Sequence, residues 1–229
     1  MTLSLFKRRT IWWPTWRGWA GLSLIFGIFA VWWYFEAEPF LSQTERQPAD
    51  ILVVEGWIGI DGITAAKAEF ERGGYRFVVA AGGMSGNRWD RRQWSYATEA
   101  EELLLRLGLS REQVILAIPQ DVPSHRTFAS AVAVVRTLQS RGLQAKALNI
   151  FTLGAHARRS RLVFAKVQQP GTEVGVISWA PPGYYAGPWW RSSDRALDLI
   201  KESLGYPFEV LLNSGRLSNS ADQAAPPPS

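Results

Sequence analysis

Residues 51–57 read Ile-Leu-Val-Val-Glu-Gly-Trp, and this stretch decides the fold. Four consecutive apolar residues, three of them β-branched, fit a strand buried on both faces. The Glu-Gly step that follows marks the hand-over from strand to helix. Runs of the same kind recur at Phe77–Ala81, Val114–Ile118, Leu148–Leu153 and Val174–Ile177. Between them apolar residues fall at helical spacing, as in Leu103, Leu104 and Leu107, or Phe128, Ala131, Val132, Val135 and Leu138. Gly73-Gly74 ends the first helix, Thr98 with Glu101 has the spacing of a capping box, and Ser110 suits a cap. The alternation predicts an α/β fold: a doubly wound, mostly parallel five-stranded sheet with helices on both faces.

The chain has 229 residues, enough for one substantial domain and an appendage, and 47% of them are hydrophobic. It has no cysteine and two histidines, His125 and His156, which excludes a disulfide scaffold, a thiolate nucleophile and a His-rich zinc centre. The net charge of +5 is local. Lys7, Arg8, Arg9 and Arg17 lie in a first segment without acids, and removing those four from 25 leaves 21 basic against 20 acidic residues. A nucleic-acid partner would need the excess on the folded part, so none is expected.

From Gly18 to Phe35 no residue is charged, and Trp12, Trp13, Trp16 and Trp19 at one end face Trp32, Trp33 and Tyr34 at the other. This is the pattern of a membrane-spanning helix with aromatic belts. A cleaved signal peptide fits less well, because Phe35-Glu36-Ala37 lacks the small residues of a cleavage site. The positive-inside rule puts residues 1–17 in the cytoplasm, 18–36 across the inner membrane, and the rest in the periplasm of a two-membrane bacterium. Residues 37–48, with Pro39 and Pro48, read as a linker, 49–215 as the domain, and the Ser/Ala/Pro-rich 216–229 as a disordered tail.

Ligands of such sheets gather beyond the carboxyl ends of the strands. The glycine turn there, Gly82-Gly83-Met84-Ser85-Gly86, can bring backbone N–H groups to a phosphate, although neither a dinucleotide fingerprint nor a Walker A motif is present. Ser124 and Thr127 open a long helix, as caps or as ligand contacts. His156 follows the fourth strand and starts a helix whose first turn carries Arg158 and Arg159. Cations there oppose the helix dipole, which points to an anion held at that turn. Glu99, Glu55 or Asp121 can supply a carboxylate, as proton acceptor or as one ligand of a divalent ion, and His125 or Arg126 can point inward. The basic aromatic loop Arg88, Trp89, Arg91, Arg92 and Trp94 suits a site cover or a lipid headgroup contact.

The run from Ala49 to Trp57, then Gly73-Gly74-Tyr75, Gly82-Gly83, Thr98-Glu99-Ala100, Ser124 to Ala131 and Ala155-His156-Ala157-Arg158-Arg159 resembles the ElyC/SanA/YdcF family of bacterial envelope proteins over about residues 49–168. The resemblance implies a Rossmann-like domain on one membrane anchor, engaged in cell-envelope and peptidoglycan or lipid-carrier processes. It carries the family's Gly-Gly onto Gly82-Gly83, its Ser/Thr-Glu-Ala onto Thr98-Glu99-Ala100, and its His-Arg signature onto His156 and Arg159. The family's Ser-x-Asn-Thr-x-Glu-Asn-Ala is altered: Ser124-His125-Arg126-Thr127-Phe128-Ala129-Ser130-Ala131 lacks both asparagines and the glutamate.

These readings converge on a domain that binds or processes a phosphorylated ligand of lipid-carrier type, as a phosphate-ester hydrolase or transferase if it is an enzyme. His156 would act as general acid or base with Glu99 assisting, and Gly82, Gly83, Ser85, Ser124, Thr127, Arg158 and Arg159 would bind the ligand. No cofactor and no metal ligands are assigned. The alternative is a non-catalytic accessory or scaffold subunit that recruits membrane-protein partners, favoured by the aromatic anchor and by Trp179, Trp189 and Trp190. Nucleotide or S-adenosylmethionine binding rests on fold analogy alone.

Overall fold

The computed structural model describes residues 13–84, 94–120 and 126–212. The chain divides into two compact units between Ala37 and Glu38. The first is the greater part of helix α1 (Trp16–Leu41), 26 residues with a mean hydropathy of 1.5 over its most apolar window, long and apolar enough to cross a membrane. The helix runs past the apolar stretch and ends at Leu41, although Pro39 lies inside its last turn.

The second unit carries a five-stranded sheet: β1 (Ile51–Glu55), β2 (Phe77–Ala81), β3 (Val114–Ala117), β4 (Ala147–Leu153) and β5 (Glu173–Trp179). Its order is β3-β2-β1-β4-β5, and every neighbouring pair is parallel. Helices α2 (Gly59–Gly73), α3 (Tyr96–Arg106), α4 (Arg126–Ser140) and α5 (Ala157–Val167) connect the strands, and α6 (Ser193–Leu212) closes the unit.

The period of two in each strand divides the core. Leu52, Val54, Val78 and Ala80 pack with Ile63, Phe70 and Leu104 of α2 and α3. Ile51, Val53, Val79 and Ile150 pack with Ala131, Val134, Val163 and Phe164 of α4 and α5. The expected doubly wound α/β sheet is therefore the fold, and it is all-parallel. Gly74, at φ 73°, caps α2 in the left-handed conformation, as the Gly-Gly pair suggests. The cap of α3 is Ser95, whose Oγ accepts the Thr98 N–H at 3.1 Å, and not Thr98 itself. A cap at Ser95 lets α3 start beside the glycine turn.

The stretch read as a linker is partly structural. Glu45 and Val176 exchange backbone hydrogen bonds of 2.8 Å in an antiparallel bridge on the edge of β5. Asn149 of β4 holds the next residue pair from the side, accepting from Gln47 N at 2.9 Å and donating to Gln47 O at 2.7 Å. Its amide also donates to Tyr75 Oη at 2.9 Å. The basic residues Lys7, Arg8 and Arg9 and the tail 216–229 lie outside the described residues.

Candidate functional site at the switch point of the sheet

The strand order reverses between β1 and β4, where the connections leave on opposite faces and a crevice opens beyond the strand ends. A pocket of about 540 Å³ lies there. It is lined by Glu55 from the end of β1, the glycine turn after β2, the start of α4, His156 after β4, and one side of α6.

Glu55 is the last residue of β1 and is buried. Its carboxylate accepts from the Thr152 hydroxyl and from Ser160 Oγ at 3.1 and 3.2 Å. His156 sits in the turn Gly154–His156 that joins β4 to α5, a turn entered through Gly154 at φ 48°, where a side chain would be strained. His156 is buried, 7% exposed, and the Trp57 ring meets its imidazole edge-on with centroids 5.2 Å apart.

His156 lies between two carboxylates. Its Nδ1 is 2.8 Å from Glu202 Oε1, and its Nε2 is 3.6 Å from Glu55 Oε2. Glu202, from α6, also accepts from Arg159 through Nε at 2.5 Å and Nη2 at 2.9 Å. Burial alone would raise the Glu202 carboxyl, but His156 and Arg159 outweigh it and hold the group at about 2. Arg159 Nη2 also lies 3.0 Å from Nδ1, so Nδ1 donates to the ionised Glu202 in one tautomer and accepts from Arg159 in the other. This leaves Nε2 directed to Glu55 and the pocket. Burial works against the Arg159 charge as well, yet its hydrogen bonds to Glu202 raise its pKa above the ordinary arginine value.

The sequence-predicted residues divide into three groups. His156, Arg159, Thr127, Gly82 and Gly83 all line the pocket. Ser85 and Ser124, with His125 and Asp121, lie outside the described residues. Glu99 and Arg158 are directed elsewhere. Glu99 is exposed on the first turn of α3 and does not line the pocket, so the carboxylates beside His156 are Glu55 and Glu202. Arg158 donates from Nε to the Phe40 carbonyl at 2.8 Å, also bonds Gln43, and lies over the Phe40 ring at 3.8 Å.

This revises the electrostatic expectation for the start of α5. The negative charge that offsets Arg159 there is the chain's own Glu202, and Arg158 is taken up by a carbonyl and an amide. Among the described residues Arg126 and Lys201 also line the pocket, with Arg126 Nη2 3.5 Å from the Met84 carbonyl and Lys201 Nζ 4.0 Å from Glu202 Oε1. Arg126 lies over the Tyr96 ring at 5.9 Å, and the Lys201 side chain is 68% exposed.

Gly82 has a packing role too. A Cβ there would fall 2.8 Å from Tyr96 Cβ, and Tyr96 N and Ala97 N donate to the carbonyls of Gly83 and Gly82. The glycines let the start of α3 approach the end of β2, which shapes the pocket wall. Phe128 and Phe208 give the pocket an apolar side. Among the described residues no cluster of three or more His, Asp or Glu has the arrangement of a metal site.

Sequence reading missed Lys201, Glu202 and Glu209. Arg195, Glu202 and Glu209 recur every seven residues, so one helix face carries charge, and all three are buried. That spacing was the available signal.

The fold and the site together define an α/β domain with a buried histidine held between two carboxylates in its switch-point crevice. No family model, curated protein or solved structure gave a significant match to the chain.

Proposed function

We propose that the chain is a membrane-anchored, extracytoplasmic domain of the ElyC/SanA/YdcF type that binds a phosphorylated ligand of lipid-carrier class in the switch-point pocket. One observation carries the reading: a buried histidine, held at Nδ1 by Glu202 and Arg159, turns Nε2 toward a pocket that also presents Arg126 and Lys201. The two cations suit a phosphate, and Phe128 and Phe208 suit the apolar part of an amphiphile. His156 and Glu55 are the groups placed to exchange a proton at an ester oxygen, with Glu202 holding the ring in register. The anchor is α1. Lys7, Arg8 and Arg9 before it and Arg17 in its first turn favour a cytoplasmic N-terminus, with the domain on the periplasmic side of a bacterial inner membrane.

The test uses the full chain in nanodiscs with farnesyl phosphate as the probe, measuring affinity and phosphate release. Lys201→Ala and Arg126→Ala should each weaken binding about tenfold or more, since a hydrogen bond to a charged group contributes ~1.5–3 kcal/mol. His156→Asn should retain binding and abolish any release. Wild-type affinity in both cation variants would overturn the reading.

A second reading, the accessory subunit, is favoured by a different observation: Arg159, Arg158 and Glu202 already find their partners within the chain. It predicts that His156→Asn lowers stability while no phosphate probe binds at all.

A further inference from the structure

Helix α6 is largely inverted, although Leu199 is buried and Asp194 and Lys201 are exposed. In a domain surrounded by water, the apolar stripe of a surface helix faces the core and its charges face solvent. Here Arg195, Glu202 and Glu209 are turned inward and buried. Leu197, Ile200, Leu204 and Leu211 are turned outward, 66%, 46%, 71% and 79% exposed, and Phe208, which also borders the pocket, is 46% exposed between Leu204 and Leu211. Their spacing of three, four, four and three residues makes one continuous stripe, about 21 Å long at ~1.5 Å per residue. The charges that face inward are satisfied by ion pairs and hydrogen bonds, so the arrangement is specified on both sides.

We infer that this outward face of α6 rests on the surface of the bilayer that α1 enters. The inference depends on reading α1 as a membrane span. Three observations select lipid as the occupant. First, α6 is bound to the residues just after the apolar run: near its start Arg195 grips Glu38 with two hydrogen bonds of 3.0 and 2.7 Å, and further along Tyr206 packs edge-on against Phe40 with centroids 5.8 Å apart. A surface tied to the point where the chain leaves a membrane meets that membrane at high effective concentration.

Second, the border of the stripe has interfacial chemistry. Trp190 and Tyr185 are exposed just before α6, and Arg191 and Lys201 are exposed cations. Aromatic rings and basic groups of this kind sit at the headgroup level of an anionic bilayer.

Third, the competing occupants fit poorly. The stripe offers roughly 400–500 Å² of apolar surface, against about 800 Å² per partner in a stable protein complex. The residues that follow α6, Asn213 to Ser229, contain one large apolar side chain, Leu217.

The chain has no cysteine, so single labelling sites are introduced directly. An environment-sensitive fluorophore is placed on Leu204→Cys, on Leu24→Cys in the apolar run, and on Ala68→Cys, an exposed position on α2, across the sheet from α5. The full chain is reconstituted into phosphatidylcholine–phosphatidylglycerol vesicles with brominated acyl chains. Blue-shifted emission and bromine quenching are expected at Leu24 and Leu204 and not at Ala68. Quenching at Leu24 alone would overturn the docking and leave the anchor standing, whereas quenching at neither would overturn both. Equal quenching at Ala68 would also overturn the assignment. So would efficient cross-linking between Leu204→Cys copies without lipid quenching, which would give the face to a second copy of the chain.

Discussion

Glu202→Gln removes one negative charge from the centre of the site while keeping the shape of the side chain. In the native protein this carboxylate is 2% exposed, lies 2.8 Å from His156 Nδ1 and accepts twice from Arg159. Its pKa lies at about 2, down from an ordinary 4.5, and a displacement of that size corresponds to ~3 kcal/mol of folding stability at neutral pH. Removing one partner from a buried ion pair typically costs about 3–5 kcal/mol, which agrees. At ~2–4 °C per kcal/mol for a domain of this size, the midpoint of thermal unfolding should fall by about 10 °C.

The pH dependence gives an independent check. A carboxyl with a depressed folded-state pKa contributes fully above its unfolded value, and the contribution is lost as pH falls from about 5 toward 2. The wild-type midpoint should therefore drop through that window. Glu202→Gln should lack that part of the drop and converge on the wild type at the acid end. Circular dichroism melts of both full chains in mild detergent, between pH 7 and pH 2.5, measure this. A variant melting within about 2 °C of the wild type at pH 7, or tracking its full acid slope, would refute the buried pair as a source of stability.

Gly175→Ala should destabilise by ~2–3 kcal/mol, because the new Cβ would fall 1.9 Å from Asn149 Oδ1 and 2.7 Å from the Glu45 carbonyl, and denaturant titration reads the loss. Arg195→Met removes the clamp on Glu38 and the hydrogen bond to the Gly187 carbonyl at 3.0 Å. The loss should be ~3 kcal/mol, seen as faster proteolysis after Gly187 and a lower melting midpoint. Lys201→Ala should leave the midpoint within the range of a surface substitution, about 0.5 kcal/mol, so that any loss of phosphate binding in it reports on the ligand alone.

The sheet was legible because its strands are buried on both faces and therefore read as unbroken apolar runs; Phe77–Ala81 even has the observed bounds. The order of elements then points to the strand ends, and His156, Arg159 and Gly82-Gly83 are found there. Periodicity could not show which carboxylate meets the histidine. In the sequence Glu99, Glu55 and Asp121 are all available to the site, yet α3 begins at Tyr96 and carries Glu99 on its solvent side. Glu202 lies 46 residues from His156 in sequence, and only the return of α6 across α5 brings them together. The arginines after His156 mark a charged turn in either case, and sequence could not tell a bound anion from one supplied by the chain.

The short antiparallel pairing of Glu45 with Val176 has a consequence for solubility. In the order β3-β2-β1-β4-β5, β5 is terminal, and its unpaired backbone would invite a stranger's strand. The segment leaving α1 occupies part of that seam. A chain trimmed to begin after Gln47 would keep its core and lose its selvedge, and should clump through β5 at concentrations where the intact protein stays dispersed.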